Sequence, residues 1–226
     1  LNSMNQYINT AELIRQDGSF EEKIVYKLES HILNAAACIR TLSRGRRGYT
    51  AKTAFFAIAA PSMEGKTQSA YVFKRLKPLY FPLSTELQSV YRNFAALSAA
   101  LRRYAEADIE AIKASGNYTR GTPFISASSI REDFQNIKFQ TLGFLVHLVQ
   151  DARAHFEASG LPWMRYHAQR QNFEFSALSF SDLSSRSELN FPGFAGFCLF
   201  LDEFIDSEWS VFVRNLARII GLRCVV

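Results

Sequence analysis

The chain has 226 residues, 48% apolar and 21% charged, which is enough to fill a core and excludes wholesale disorder. Its formal net charge of +5, from 26 basic and 21 acidic side chains, is compatible with nucleotide or nucleic acid but too small to demand nucleic acid as a partner. Three scattered cysteines (Cys38, Cys198 and Cys224) exclude a disulfide framework, and no apolar run reaches the length of a membrane span. No membrane partner is expected, and with no secretory segment near the start an intracellular place, cytoplasm or nucleus, is expected.

In chain order, Phe20 to about Leu42 reads as a helix, because Ile24, Val25, Leu28, Ile32 and Ala35 recur at three-to-four-residue steps. The basic, glycine-bearing stretch 43–49 ends it, and residues 1–49 are expected to form an N-terminal helical extension. Thr53–Ala59 is apolar on both alternating faces, as a strand covered on both sides of a parallel sheet should be. Lys66 to about Leu76 then reads as a helix, and Leu79–Leu83 as a short strand with Pro82 at its end or on an edge.

From Thr85 to about Ser115 an apolar stripe of Leu87, Val90, Tyr91, Phe94, Leu97, Leu101 and Tyr104 predicts a long helix. Ile130–Ala158 predicts another, stopped by Gly160-Leu161-Pro162, while the serine-rich residues 163–193 show no period. Phe194–Leu201 predicts a second strong strand, about 207–220 a helix, and Leu222–Val226 a final strand. Strands alternating with helices indicate an α/β domain with a mainly parallel sheet over 50–226, carrying a largely helical insert at 85–190.

Two stretches carry the chemistry. Ala60-Pro61-Ser62-Met63-Glu64-Gly65-Lys66-Thr67 matches the phosphate-loop pattern G-x-x-x-x-G-K-[ST] except at Ala60, where the pattern has its first glycine. It follows a buried strand and opens a helix, the setting in which unpaired backbone N–H groups converge on phosphate oxygens. Gly65 lets the main chain approach, Lys66 brings a mobile charge to the outer phosphates, and Thr67 offers a hydroxyl to magnesium. The second stretch, Phe197-Cys198-Leu199-Phe200-Leu201-Asp202-Glu203, is an apolar strand ending in adjacent carboxylates. A strand with this ending looks like the Walker B element of P-loop NTPases, a resemblance that implies Asp202 on magnesium and Glu203 as general base toward water. Both stretches lie at the C-terminal ends of predicted strands, where ligands of open α/β sheets bind.

On these residues the chain resembles the P-loop NTPases, with the first stretch as Walker A and the second as Walker B. The adjacent Glu203 resembles the glutamate-base branch, to which AAA-type and STAND-type ATPases belong and in which an extra strand separates the two Walker strands. The resemblance covers about residues 50–226 and implies a three-layer core, ATP or GTP with Mg2+ as ligands, and Pro61 to Gln68 around the nucleotide. It implies a polar sensor on the strand after Walker B, and the chain stops at Val226 inside that predicted strand, so the domain reads as cut short there. Pro61–Gln68 together with Phe200-Leu201-Asp202-Glu203-Phe204 is also similar to the ATPase portions of some large oomycete families, including Crinkler-type effectors.

The four histidines show no metal-ligand spacing, and no nucleophile elbow is present. Two functions are therefore expected from different classes. One is an NTPase whose hydrolysis drives a conformational or assembly step, acting in a homo-oligomer or on a protein partner. The other is a non-catalytic interaction module that meets its partner through the helical region.

Overall fold

The computed structural model describes residues 26–30, 32, 70–71, 73, 75–83, 92–115, 134–159, 167, 174–185, 196–202, 204 and 207–226 (backbone only at 155–159, 184–185 and 218). They form a mixed α/β arrangement around a three-stranded parallel sheet: β1 Lys77–Pro82, β2 Phe197–Asp202 and β3 Arg223–Val225, in the order β1-β2-β3. The helices are α1 Arg92–Ala114, α2 Gln140–Ser159, the short α3 Phe180–Ser185, and α4 Glu208–Ile219. Strand 53–59, the phosphate-loop stretch 60–68 and Glu203 lie outside the described residues.

β2 is central and buried along its whole length, which explains its unbroken apolar run. Its register sets Leu79 opposite Leu199, Tyr80 opposite Phe200, and Pro82 opposite Asp202. Odd-numbered residues of the first two strands (Leu79, Phe81, Phe197, Leu199, Leu201) join one core cluster with α1, α2 and α4. On α1 the buried stripe is Phe94, Leu97, Leu101, Ala105, Ile109 and Ile112, the spacing of an amphipathic helix. Even-numbered residues carry a second, aromatic contact surface. There Tyr80 meets Phe200 with ring centroids 5.8 Å apart, and Phe73 and Tyr71 pack on Phe200 and Tyr80 at 6.4 and 6.0 Å.

The outer edge of β1 is closed by its composition. Lys77 N–H donates to Gly196 O and Leu83 N–H to Asp202 O, so the odd residues of β1 face β2 and the even ones face outward. Two of the three outward positions are Pro78 and Pro82, which have no N–H, and the N–H of Tyr80 donates to His167 Nε2 at 2.9 Å. The outer side of β1 therefore offers no free backbone N–H to another strand, and among the described residues Pro82 and Pro78 lie on the outer strand of the sheet. The strand also begins two residues earlier than the apolar run suggests.

Two other expected boundaries move for reasons the chain reveals only when folded. Residues 73, 75 and 76 are not helical, so the predicted helix 66–76 ends sooner. The buried carboxylate of Glu29 accepts the N–H groups of Arg75 (2.8 Å) and Leu76 (2.9 Å), and Arg75 Nε lies 3.5 Å from its other oxygen. The Arg75 guanidinium also reaches Tyr26 O and Ser30 Oγ, which ties the helical residues 26–30 to the start of β1. The helix expected from Ile130 starts at Gln140, because Phe139 is engaged in an antiparallel bridge with Leu178. Asp108 of α1 then caps α2 from 32 residues away, accepting Gln140 N–H at 2.9 Å and Thr141 N–H at 2.7 Å. Burial raises the pKa of Asp108, and the hydrogen bonds from Thr141 and Gln140 partly offset that.

α4 stops in a Schellman motif, with Leu222 N–H on Ala217 O at 2.9 Å and Gly221 at φ 78°. That left-handed residue turns the chain directly into β3, so β2, α4 and β3 form a compact parallel crossover.

Candidate functional site

All three strands are parallel, so their C-terminal ends share one edge of the sheet, with Pro82, Asp202 and Val225 as the last strand residues. Asp202 closes the central strand and is buried. A carboxylate withdrawn from water needs hydrogen-bond donors aimed at it. The Tyr80 hydroxyl supplies one, donating to Asp202 Oδ2 at 2.5 Å.

Tyr80 is fixed from several directions. Its ring is fully buried, with the Phe94 ring edge-on at 5.0 Å beside the Phe200 and Tyr71 contacts. Its backbone N–H is held by His167, whose own ring lies against Phe94 (5.5 Å) and Phe81 (6.0 Å). Since Nε2 accepts that N–H, the neutral ring carries its proton on Nδ1. Burial pushes the His167 pKa down to about 4, while the Tyr80 carbonyl, 3.2 Å from Nε2, opposes this by favouring the protonated ring.

Of the residues expected at the site, Asp202 stands where the strand pattern put it, at the end of a buried parallel strand. Pro61, Ser62, Met63, Glu64, Gly65, Lys66, Thr67, Gln68 and Glu203 fall outside the described residues. Residues 70–71 are helical and buried, and Tyr71 touches the ring of Tyr80. Phe204, following Glu203, lies 5.5 Å beneath the Arg214 guanidinium of α4.

Tyr80 and His167 are the residues that sequence reasoning missed. A polar-tipped ring inside the run Leu79–Leu83 was the one local sign of Tyr80; for His167 there was none, since its partner lies 87 residues away. Among the described residues no three His, Cys, Asp or Glu side chains gather into a metal cage, and no helix is long and apolar enough to cross a membrane.

No protein-family model, no curated protein and no solved structure matches this chain. Its functional reading therefore rests on its own residues.

Proposed function

We propose that this chain binds a nucleoside triphosphate, ATP or GTP, together with Mg2+ on a P-loop-type core of three layers, and hydrolyses it to drive a conformational or assembly step. The observation that carries this reading is Asp202, buried at the C-terminal end of the central strand of a parallel sheet. The strand order supports the same reading. The outer side of β1 carries Pro78, Pro82 and the Tyr80–His167 bond, and the proposed core would add strand 53–59 on the other side of the sheet, beyond β3. β3 would then separate the two Walker strands, the arrangement that the glutamate-base branch implies.

The donor set suits magnesium. Mg2+ prefers hard oxygen ligands and is usually held by one or two carboxylates plus phosphate and water, not by an all-protein cage. Asp202 offers such an oxygen from a rigid strand end, with Thr67 as the expected hydroxyl donor. Bound there, magnesium would neutralise phosphate charge and fix the geometry of the outer phosphates. Lys66 would hold the same phosphates through its ammonium, and the backbone N–H groups from Pro61's successor Ser62 to Gln68 would cradle them. Glu203 would take the proton from the attacking water.

Exchanging Glu203 for glutamine removes the base and keeps the shape. Steady-state hydrolysis is expected to fall by about 100-fold or more, the usual worth of a positioned base, while nucleotide affinity stays within a few-fold of the parent. Hydrolysis at the parent rate in Glu203→Gln would remove Glu203 from the chemistry.

A further inference from the structure

Asp202 is held by a residue that lies 122 positions earlier in the chain and belongs to neither Walker stretch. We propose that Tyr80 is the positioning residue for Asp202, its hydroxyl holding the carboxylate in the orientation that receives the magnesium of a metal–nucleotide complex. This rests on the reading of Asp202 as a metal ligand.

Four observations converge on Tyr80. The register places it on β1 opposite Phe200, so Asp202 is its diagonal neighbour on the same surface of the sheet, within reach of a long side chain. Its ring is enclosed by Tyr71, Phe94 and Phe200, which leaves the phenol no alternative direction. Its backbone is pinned on one side by His167 Nε2 and lies between the two prolines of a closed edge. Its hydroxyl ends on Oδ2 of the strand-end carboxylate. Turning that carboxylate away would break this bond, so the carboxylate's orientation is coupled to the aromatic cluster that fixes the Tyr80 ring.

An ionised carboxylate has room for about four hydrogen-bond or metal contacts on its two oxygens, so a donor on Oδ2 does not preclude a cation. Partners of this kind orient metal ligands, and their loss typically costs about 10–100-fold in metal affinity. The ring packing of Tyr80 does not involve its oxygen. Tyr80→Phe therefore removes the hydroxyl that bonds Asp202 and keeps the ring packing.

The test is calorimetric titration of ATP, in the presence of Mg2+ and in the presence of EDTA, into the parent chain, Tyr80→Phe, Asp202→Asn and the double variant. The parent should gain affinity from magnesium. Tyr80→Phe should lose about 10-fold of that gain, with metal-free ATP affinity and melting midpoint close to the parent. The double variant should bind no more weakly than Asp202→Asn alone, since both changes remove one function. A full magnesium gain in Tyr80→Phe, an equal loss of metal-free binding, or additive losses in the double variant would each overturn the positioning role. A parent without any magnesium gain, or Asp202→Asn with the full gain, would instead remove Asp202 as a ligand, and the inference with it. If Tyr80→Phe fails to melt cooperatively, the ring-carbon resonance beside the Tyr80 hydroxyl in the parent decides. It should shift when Mg2+ joins ATP, and an unmoved resonance contradicts the proposal.

Discussion

Replacing Gly143 by alanine is expected to destabilise the fold by about 3 kcal/mol or more, the upper range for forcing extra atoms into a packed site. Helix propensity alone predicts the opposite sign, a gain of about 0.5–1 kcal/mol for Gly→Ala inside a helix. Packing decides against it. A Cβ at Gly143 would overlap Ser176 O and lie 2.9 Å from Ser176 C, both backbone atoms that cannot rotate away. The close approach follows from the bridge one turn earlier, where Phe139 N–H donates to Leu178 O at 2.8 Å and Leu178 N–H returns to Phe139 O at 3.2 Å. That bridge lays segment 174–178 across the start of α2, and only a glycine lets the carbonyl of Ser176 reach the helix surface. Relieving the clash means lifting the segment and with it Phe175, which packs on Tyr104 and Phe144 at 5.0 and 5.7 Å. Denaturant unfolding of the two proteins at equal slope measures the difference. A stabilised Gly143→Ala would mean that the segment does not touch the helix.

Acidification is expected to cost stability through His167. In the folded chain its pKa is about 4, whereas an unfolded histidine titrates near 6.5. As pH falls below 6.5 the unfolded chain binds the proton first, so unfolding is favoured progressively down to about pH 4 and no further by this group. The contribution is fully present above pH 6.5, and its loss amounts to about 3 kcal/mol, from 1.36 kcal/mol per pH unit. Protonation also turns Nε2 from acceptor to donor and so breaks the bond from Tyr80 N–H, opening the one guarded position on the edge of β1. His167→Gln keeps an acceptor in reach but has no proton to gain. Its unfolding free energy should therefore vary less between pH 6.5 and 5 than that of the parent, a window above the range of ordinary carboxylates. Identical pH slopes in the two proteins would rule out a buried neutral His167.

The elements that could be read from the chain are those whose cause is local. β2 announces itself as an unbroken apolar run because it is covered on both faces, and α1 shows a stripe because one side of it is buried. α4 begins after Ser207, whose Oγ and N–H exchange bonds with Ser210. The same reciprocal pattern between Ser179 and Asp182 starts α3 inside a stretch that otherwise shows no period, so that helix carried a signature in its residues. What was not legible is what distant residues decide. Asp108 sets the start of α2, Glu29 sets the run-in to β1, and His167 guards the edge where two prolines already stand. For the candidate site the division is the same. A carboxylate at the end of an apolar strand is a pattern within seven residues, whereas the tyrosine that holds it is reached only through the register of β1 on β2.

Titration of ATP, and separately of GTP, with magnesium into the parent chain and into Lys66→Ala bears most directly on the central claim. The parent is expected to bind one of the two nucleotides, and the variant to bind it roughly 10–100-fold more weakly, the worth of a charge-assisted bond to phosphate. Equal affinity in the two proteins, or no binding by the parent, would contradict a phosphate site at Lys66.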